Sequence, residues 1–200
     1  MAIDIPKTAY TGKVREIKIG KGDKTITVGG ENSYPFYTFE GTMTHKPRIA
    51  MEVWDSPPEE WAEAALEPFA DVINDPVAWA KKCVNTYGAE MICLQLGSTD
   101  PNGLNRDADE AAAVVKKVAD AIDVPLIVWG TANHEKDTQV LAKVAEVCQD
   151  KKLILGPVEE KDYKKIGAAA IGYKHTVVAS TPIDINLAKQ LNILMGDLGV

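Results

Sequence analysis

Small polar side chains and glycines gather where apolar stretches of the sequence end. Eight of these residues form the predicted cofactor-binding set: Ser98, Gly130, Thr131, Asn133, Gly156, Ser180, Thr181 and Asp184. Hydroxyl and amide groups can hydrogen-bond the amides of a large ligand, and glycine lets a ligand approach the backbone closely. The set therefore predicts a binding face with no assigned catalytic or metal-binding residue.

Each member of the set also has a structural interpretation, which we favour for any residue taken alone. Asp184 is a good helix N-cap. Residues 100–103, with the sequence DPNG, form a good turn beside Ser98. The binding interpretation therefore rests on the residues as a group, at one end of successive strands.

The sequence contains no ligand pattern for a metal ion or an iron–sulfur cluster. The three histidines, His45, His134 and His175, have no metal spacing, and the sequence lacks the DxHxxG pattern that supplies a lower cobalt ligand in some cobalamin modules. We expect each histidine to be structural or solvated. Three separate cysteines without a CxxC pair do not predict an iron–sulfur cluster or a zinc site, and they fit a reducing cytosol.

Nucleotide-binding motifs are also missing. Residues 20–25, with the sequence GKGDKT, lack the phosphate-loop spacing, and no GxGxxG follows a strand. Glu52 and Gln95 interrupt apolar strands, so we expect them to form a polar network in the core. The formal net charge of −7 argues against nucleic acid or anionic lipid as a partner. Apolar stretches are strand-sized, so we expect no membrane span and a cytoplasmic protein.

The elements that must position these residues begin with a hairpin. Residues 14–19 and 24–28 alternate apolar and charged side chains around Gly22, which predicts two antiparallel strands. The segment after them carries four aromatic residues that we expect to pack on something: Tyr34, Phe36, Tyr37 and Phe39.

Five strand–helix units follow. The predicted strands are residues 49–54, 91–96, 126–129, 153–155 and 176–179. Asp75 and Pro76 open the first helix as N-cap and first helical residue. The last helix follows Asp184, and we expect Leu187, Ala188, Leu191 and Leu194 to face inward.

Strands without polar alternation that are joined by helices predict a parallel sheet. The pattern alone leaves two folds open, an open doubly wound sheet or part of a (β/α)8 barrel, because a barrel needs eight such units.

Several local sequences, in order along the chain, resemble one family. They are residues 35–41 (PFYTFEG), 47–52 (PRIAME), 71–83 (DVINDPVAWAKKC), 87–89 (YGA), 100–103 (DPNG) and 180–193 (STPIDINLAKQLNI). Together they make the chain similar to the small subunit of the corrinoid iron–sulfur protein, the delta subunit of the acetyl-CoA decarbonylase/synthase system. The resemblance spans nearly the whole chain.

The resemblance implies an α/β fold, a TIM (β/α)8-type barrel related to pterin-binding methyltransferases. Family members continue beyond position 200, so we expect here a barrel truncated to about five βα units. The predicted organisation is an N-terminal hairpin and aromatic-loop extension over residues 1–46 and a barrel portion over residues 47–200.

The resemblance also implies a function. The chain would be a non-catalytic subunit in a heterodimer with a large subunit that carries the iron–sulfur cluster and a corrinoid-binding domain. It would share and shield the corrinoid (cobalamin), with no cluster of its own. The corrinoid takes a methyl group from methyltetrahydrofolate through a separate methyltransferase. It passes the methyl to acetyl-CoA synthase in the anaerobic reductive acetyl-CoA (Wood–Ljungdahl) pathway of carbon fixation.

Two alternatives stay open. One is an enzyme, a methyltetrahydrofolate methyltransferase that binds a pterin in the barrel mouth, with Asp55, Asp100 or Asn133 reading the pterin ring. The other is a truncated fragment without an independent function.

Overall fold

The computed structural model describes residues 11–33 and 43–200, and the first of these segments forms the predicted hairpin. Strands β1 (Ile17–Ile19) and β2 (Ile26–Val28) pair antiparallel across a 3-10 turn at Gly22–Lys24. Gly22 has a φ of 71°, a value that glycine adopts without strain. The four aromatic residues predicted to pack after the hairpin lie outside the described residues.

The second segment contains the five predicted strands and their helices. The strands are β3 (Ala50–Trp54), β4 (Met91–Gln95), β5 (Leu126–Trp129), β6 (Ile154–Val158) and β7 (Thr176–Ala179). The helices are α1 (Glu63–Leu66), α2 (Pro76–Asn85), α3 (Ala108–Ala121), α4 (His134–Val147), α5 (Tyr163–Tyr173) and α6 (Ile185–Leu198). The pattern did not predict α1, which has only four residues.

Short polar side chains start four of the helices. Asp75 accepts hydrogen bonds from Val77 N and Ala78 N, and Asp107 accepts one from Glu110 N. Asn133 caps α4 and Asp184 caps α6 in the same way. Because these caps satisfy amide groups that the helix leaves unpaired, each helix start is specified locally.

The five strands form one parallel sheet in the order β3-β4-β5-β6-β7, which is their order along the chain. Doubly wound sheets reverse their strand order at a switch point, and these strands show no reversal. Right-handed crossovers that always step in one direction place the helices on the same face. Accordingly, each helix from α2 to α6 contacts the next.

The helix-covered face holds the main core. Alternate strand residues Val53, Leu94, Val128 and Leu155 point to this face and have no exposed surface. Leu191 and Met195 of α6 pack on the same core, whereas Leu194 is 38% exposed, so the prediction that it faces inward was wrong. The buried stripe of α6 runs at a spacing of four residues and leaves Leu194 beside it.

The opposite face of the sheet, which we call the open face, is covered at its amino end by the hairpin. Ile26 of β2 packs against Met91 and Ile154 in a second, smaller core cluster. Ile19 and Val28 of the hairpin lie against the same cluster. The hairpin therefore plugs one end of the open face.

Glu52 lies on the open face and is exposed, so the expectation of a buried core position for it was wrong. Its carboxylate accepts a hydrogen bond from Trp54 Nε1. No helix within the described residues is long and apolar enough to cross a membrane.

Candidate functional site

A lateral row of residues crosses the open face at the carboxyl ends of β3, β4 and β5 and at the third residue of β6. The strand register pairs Trp54 with Gln95, Gln95 with Trp129, and Trp129 with Gly156. Because pleating sends paired residues to the same side, the row contains two indoles and one amide side by side. The two indoles and the Gln95 side chain are only half-buried.

Glycines set the orientation of both indoles. A Cβ at Gly156 would lie 2.9 Å from the ring of Trp129, and a Cβ at Gly97 would lie 2.7 Å from the ring of Trp54. Each ring therefore occupies the space that any side chain at its glycine would need. At Gly156, where a close approach of a ligand was predicted, the space beside the backbone holds the indole of Trp129.

Gln95 ties the row to the next loop, as its predicted polar-network role requires. Its Nε2 donates to Gly130 O at 2.8 Å, and Gly130 N donates to Gly156 O at the same distance. Three neighbouring strand ends are thereby linked through Gln95, Gly130 and Gly156.

Asp55 and Ser98 form a buried pair beyond the ends of β3 and β4. The Ser98 amide donates to Asp55 Oδ1 at 2.8 Å, and the Ser98 hydroxyl donates to Oδ2. Burial raises the pKa of Asp55, although the bonds from Ser98 and the charge of Arg106 oppose that rise. Ser98 has no exposed surface, so its side chain contacts Asp55 instead of solvent.

A second buried carboxylate, Asp137, organises the loop after β5. It accepts hydrogen bonds from the amide and hydroxyl of Thr131 at 3.0 and 3.2 Å. A Cβ at Gly130 would lie 2.5 Å from this carboxyl group. Burial raises the pKa of Asp137, and the nearby charge of Asp162 raises it further, against the bonds from Thr131.

A third cluster joins the loops after β5 and β6. His134 is the first residue of α4, and its Nδ1 lies 3.1 Å from Asp162 Oδ2. Its Nε2 lies 3.8 Å from Glu159 Oε2. The other oxygen of Asp162 accepts from the Glu159 amide at 2.7 Å. His175, in contrast, is buried below the sheet's amino end between Leu153 N and Ala145 O.

The remaining predicted residues lie at the same end of the sheet. Asn133 and Asp184 are exposed N-caps, and the Ser180 amide donates to Val158 O. Thr181 follows Ser180 and is half-buried. Parallel pairing thus brings the eight predicted residues to one end of the sheet.

Three groups proposed for reading a pterin already serve the fold. Asp55 holds Ser98, Asp100 accepts from Asn102 N at 2.8 Å, and Asn133 accepts from Lys136 N at 3.1 Å. Among the described residues, no group of three or more histidines, cysteines or acidic residues could hold a metal ion. Burial also raises the pKa of the Cys93 thiol, on the open face, to about 11, so it is not activated as a nucleophile.

The residues of this edge that the sequence did not predict are Trp54, Trp129, Asp137, Glu159 and Asp162. The two tryptophans read as apolar strand residues, and only strand register shows that they share the open face. No sequence motif singles out Asp137 or Asp162. Their burial depends on loops that the sequence pattern does not place.

The fold places the chain in a class, the parallel βα proteins, whose members commonly bind ligands at the carboxyl ends of their strands. Residues 16–200 match the family described as CO dehydrogenase/acetyl-CoA synthase delta subunit. The chain belongs to this family, as its sequence motifs predicted.

Curated relatives agree with that assignment. The chain is similar to acetyl-CoA decarbonylase/synthase complex subunit delta of Archaeoglobus fulgidus, with 40% identity over 93% of this chain and 43% of the relative. The corresponding subunit of Methanothermobacter thermautotrophicus is 34% identical over 94% of this chain and 48% of its own length. That of Methanocaldococcus jannaschii is 35% identical over 98% and 49%, respectively. The chain thus spans about half the length of these relatives.

Proposed function

We propose that this chain is the non-catalytic, corrinoid-contacting part of a corrinoid iron–sulfur methyl carrier. The carrier would move a methyl group from methyltetrahydrofolate to acetyl-CoA synthase in the reductive acetyl-CoA pathway. One observation carries the proposal: the row of Trp54, Gln95 and Trp129 is half-exposed at the carboxyl edge of the open face, while the hairpin covers the amino end. Family membership supports the same role.

The carboxyl edge of the open face suits contact with a large, mostly flat cofactor. Two indoles supply broad apolar contact at little cost in conformational entropy. The rim supplies polar groups from successive loops, including Thr131, His134 and Glu159. A bound corrinoid would provide the cobalt that carries the methyl group. The residues of this chain would orient the ring and exclude water from its metal.

We further propose that residues 47–200 are part of a TIM (β/α)8-type barrel and that residues 1–46 are an extension. Sequential strand order and a single helix layer support this architecture. In a closed barrel the open face would line the interior, and the row of indoles would lie at the catalytic or binding mouth.

The partners follow from the same proposal. A large subunit would hold the corrinoid-binding domain and the iron–sulfur cluster, for which this chain offers only three separated cysteines. A methyltetrahydrofolate methyltransferase and acetyl-CoA synthase would dock in turn on the assembled carrier, in the cytoplasm.

Corrinoid retention tests the proposal. The chain is co-expressed with the large subunit, and the bound corrinoid is quantified by its visible absorption after gel filtration. We expect retention in the complex, and at least tenfold weaker binding after Trp129→Ala. Tyr87→Ala is the matched control. It truncates an aromatic residue that is 47% exposed and that precedes the amino end of β4, away from the carboxyl ends of the strands. Equal retention by the two variants would contradict the proposed site.

The pterin-dependent methyltransferase is the second candidate function. The structure disfavours it, because the oxygen atoms of Asp55 and Asn133 already accept hydrogen bonds from the fold. Titration of the isolated chain with methyltetrahydrofolate separates the two functions. Tight binding without the large subunit would favour the enzyme over the carrier subunit.

A further inference from the structure

His134 is held in one orientation by a buried carboxylate. The side chain of Asp162 is 3% exposed, and its two oxygens contact His134 Nδ1 at 3.1 Å and the Glu159 amide at 2.7 Å. A histidine whose Nδ1–H donates to a carboxylate presents Nε2 as the free ring nitrogen. Because Asp162 also fixes the backbone of Glu159, both residues are positioned by the same buried group.

The free nitrogen and the Glu159 carboxylate form a pair of adjacent acceptors. They lie 3.8 Å apart, which is too long for a hydrogen bond between them. Each side chain retains nearly a third of its exposed surface, 29% for His134 and 28% for Glu159. His134 follows β5, the strand that ends at Trp129, and Glu159 follows β6, the strand that contains Gly156.

Among the described residues, no hydrogen-bond donor of the fold bridges these two acceptors. Two acceptors at this spacing select a ligand group that donates two hydrogen bonds. A primary carboxamide carries two N–H donors in a fixed fork. A carboxylate ligand would be repelled by Glu159. A metal ion would find too few ligands, since no set of three exists within the part of the chain that the structure describes.

We propose that His134 Nε2 and the Glu159 carboxylate accept the two N–H groups of one primary carboxamide on the ligand, with Asp162 as their positioning residue. The inference rests on the proposed function, because the rim of a corrin ring carries primary carboxamides. The site would then read the edge of the ring, while Trp54 and Trp129 contact its body.

The test compares corrinoids that differ in one rim group. The cofactor-free complex of this chain with the large subunit is titrated with cobinamide and with each cobinamide monocarboxylic acid, in which a single carboxamide is replaced by a carboxylate. We expect one of the acid isomers to bind at least tenfold more weakly than cobinamide. Glu159→Gln should abolish that discrimination, because a glutamine amide can donate to the carboxylate of the ligand.

Glu160→Gln, a change of the same chemistry at the exposed neighbouring residue, is the control and should bind like the wild type. Equal affinity of the wild type for cobinamide and every acid isomer would overturn the inference and leave the proposed function standing. So would a Glu159→Gln variant that discriminates as the wild type does. Failure of the wild-type complex to bind cobinamide at all would instead overturn the proposed function.

Discussion

One face of the five-stranded sheet lies under a layer of helices. Within the described residues, the other face is covered by a hairpin at its amino end. On the helix side, strand residues such as Leu94 and Val128 have no exposed surface. On the open side, the neighbouring residues Cys93 and Trp129 remain half-buried. Adjacent residues of one strand therefore experience very different surroundings.

The difference separates the residues that stabilise the fold from those available to a ligand. The helix side is closely packed, so removing a methylene group there lowers the free energy of unfolding. The open side combines two indoles, an amide and a carboxylate that remain half-buried or exposed, although the Trp54 ring also contacts that of Trp61. Changes on the two sides should accordingly differ in their effect on unfolding, which gives four ways to test the contrast.

The largest effect is expected from Leu94→Ala. Removing this buried side chain should cost about 3 kcal/mol of unfolding free energy, because it leaves a cavity beneath the helix layer. Cys93→Ala, the adjacent position on the open face, should cost less than about 1 kcal/mol. Urea unfolding followed by circular dichroism measures both. Equal losses would show that the two faces are packed alike.

Truncation of the hairpin plug comes second. Ile26→Ala should cost about 2 kcal/mol, since Ile26 is 8% exposed and packs on Met91 and Ile154. Ile17→Ala, in the partner strand and 44% exposed, should stay within about 0.5 kcal/mol of the wild type. If both variants unfold at the same urea concentration, the hairpin does not stabilise the amino end of the open face.

Gly156→Ala tests how closely Trp129 covers its glycine. A methyl group 2.9 Å from the indole should force the ring to move and cost about 1.5 kcal/mol. Gly172→Ala, at a helical glycine with open space around its Cβ position, should stabilise the protein by about 0.5 kcal/mol. Thermal unfolding therefore distinguishes the two variants by the sign of the change in Tm.

The smallest effect concerns pH. Because burial raises the pKa of Asp137 in the folded state, the folded protein binds more protons than the unfolded chain between the ordinary aspartate pKa and the raised one. The stability that Asp137 contributes is full below the ordinary pKa and is lost as the pH rises through the folded pKa. Relative to Asp137→Asn, the wild type should lose stability from pH 4 to pH 7.

Unfolding free energies of the two proteins at both pH values measure this difference. A wild type that gains stability relative to Asp137→Asn as the pH rises would contradict the raised pKa. High salt should leave the pH-dependent difference in place, since Asp137 is 1% exposed and its carboxyl is weakly screened.

Local signals predicted the elements well because they act within a few residues. Asp75 and Asp184 lie next to the helices that they cap, and the strand at residues 126–129 has the predicted bounds. The order of the strands was not predictable from periodicity, because both candidate folds use the same alternation of strands and helices.

The candidate site was predictable in position but not in composition. Gly130 and Thr131 were identified from their place after a strand, and the structure puts them at the sheet's carboxyl edge. Trp129 and Asp162 were not, because their roles depend on partners 27 and 28 residues away, Gly156 and His134, in other loops. No repeating pattern encodes such contacts.

Sequential strand order has a consequence for how the sheet opens. The principal contacts join each βα unit to the unit before it and the unit after it, as in a repeat protein. Unfolding is then cooperative mainly between neighbouring units. Local unfolding should start at β3 and β7, which have one neighbour instead of two in the described sheet. Amide hydrogens of β5 should exchange most slowly, with protection declining toward β3 and β7.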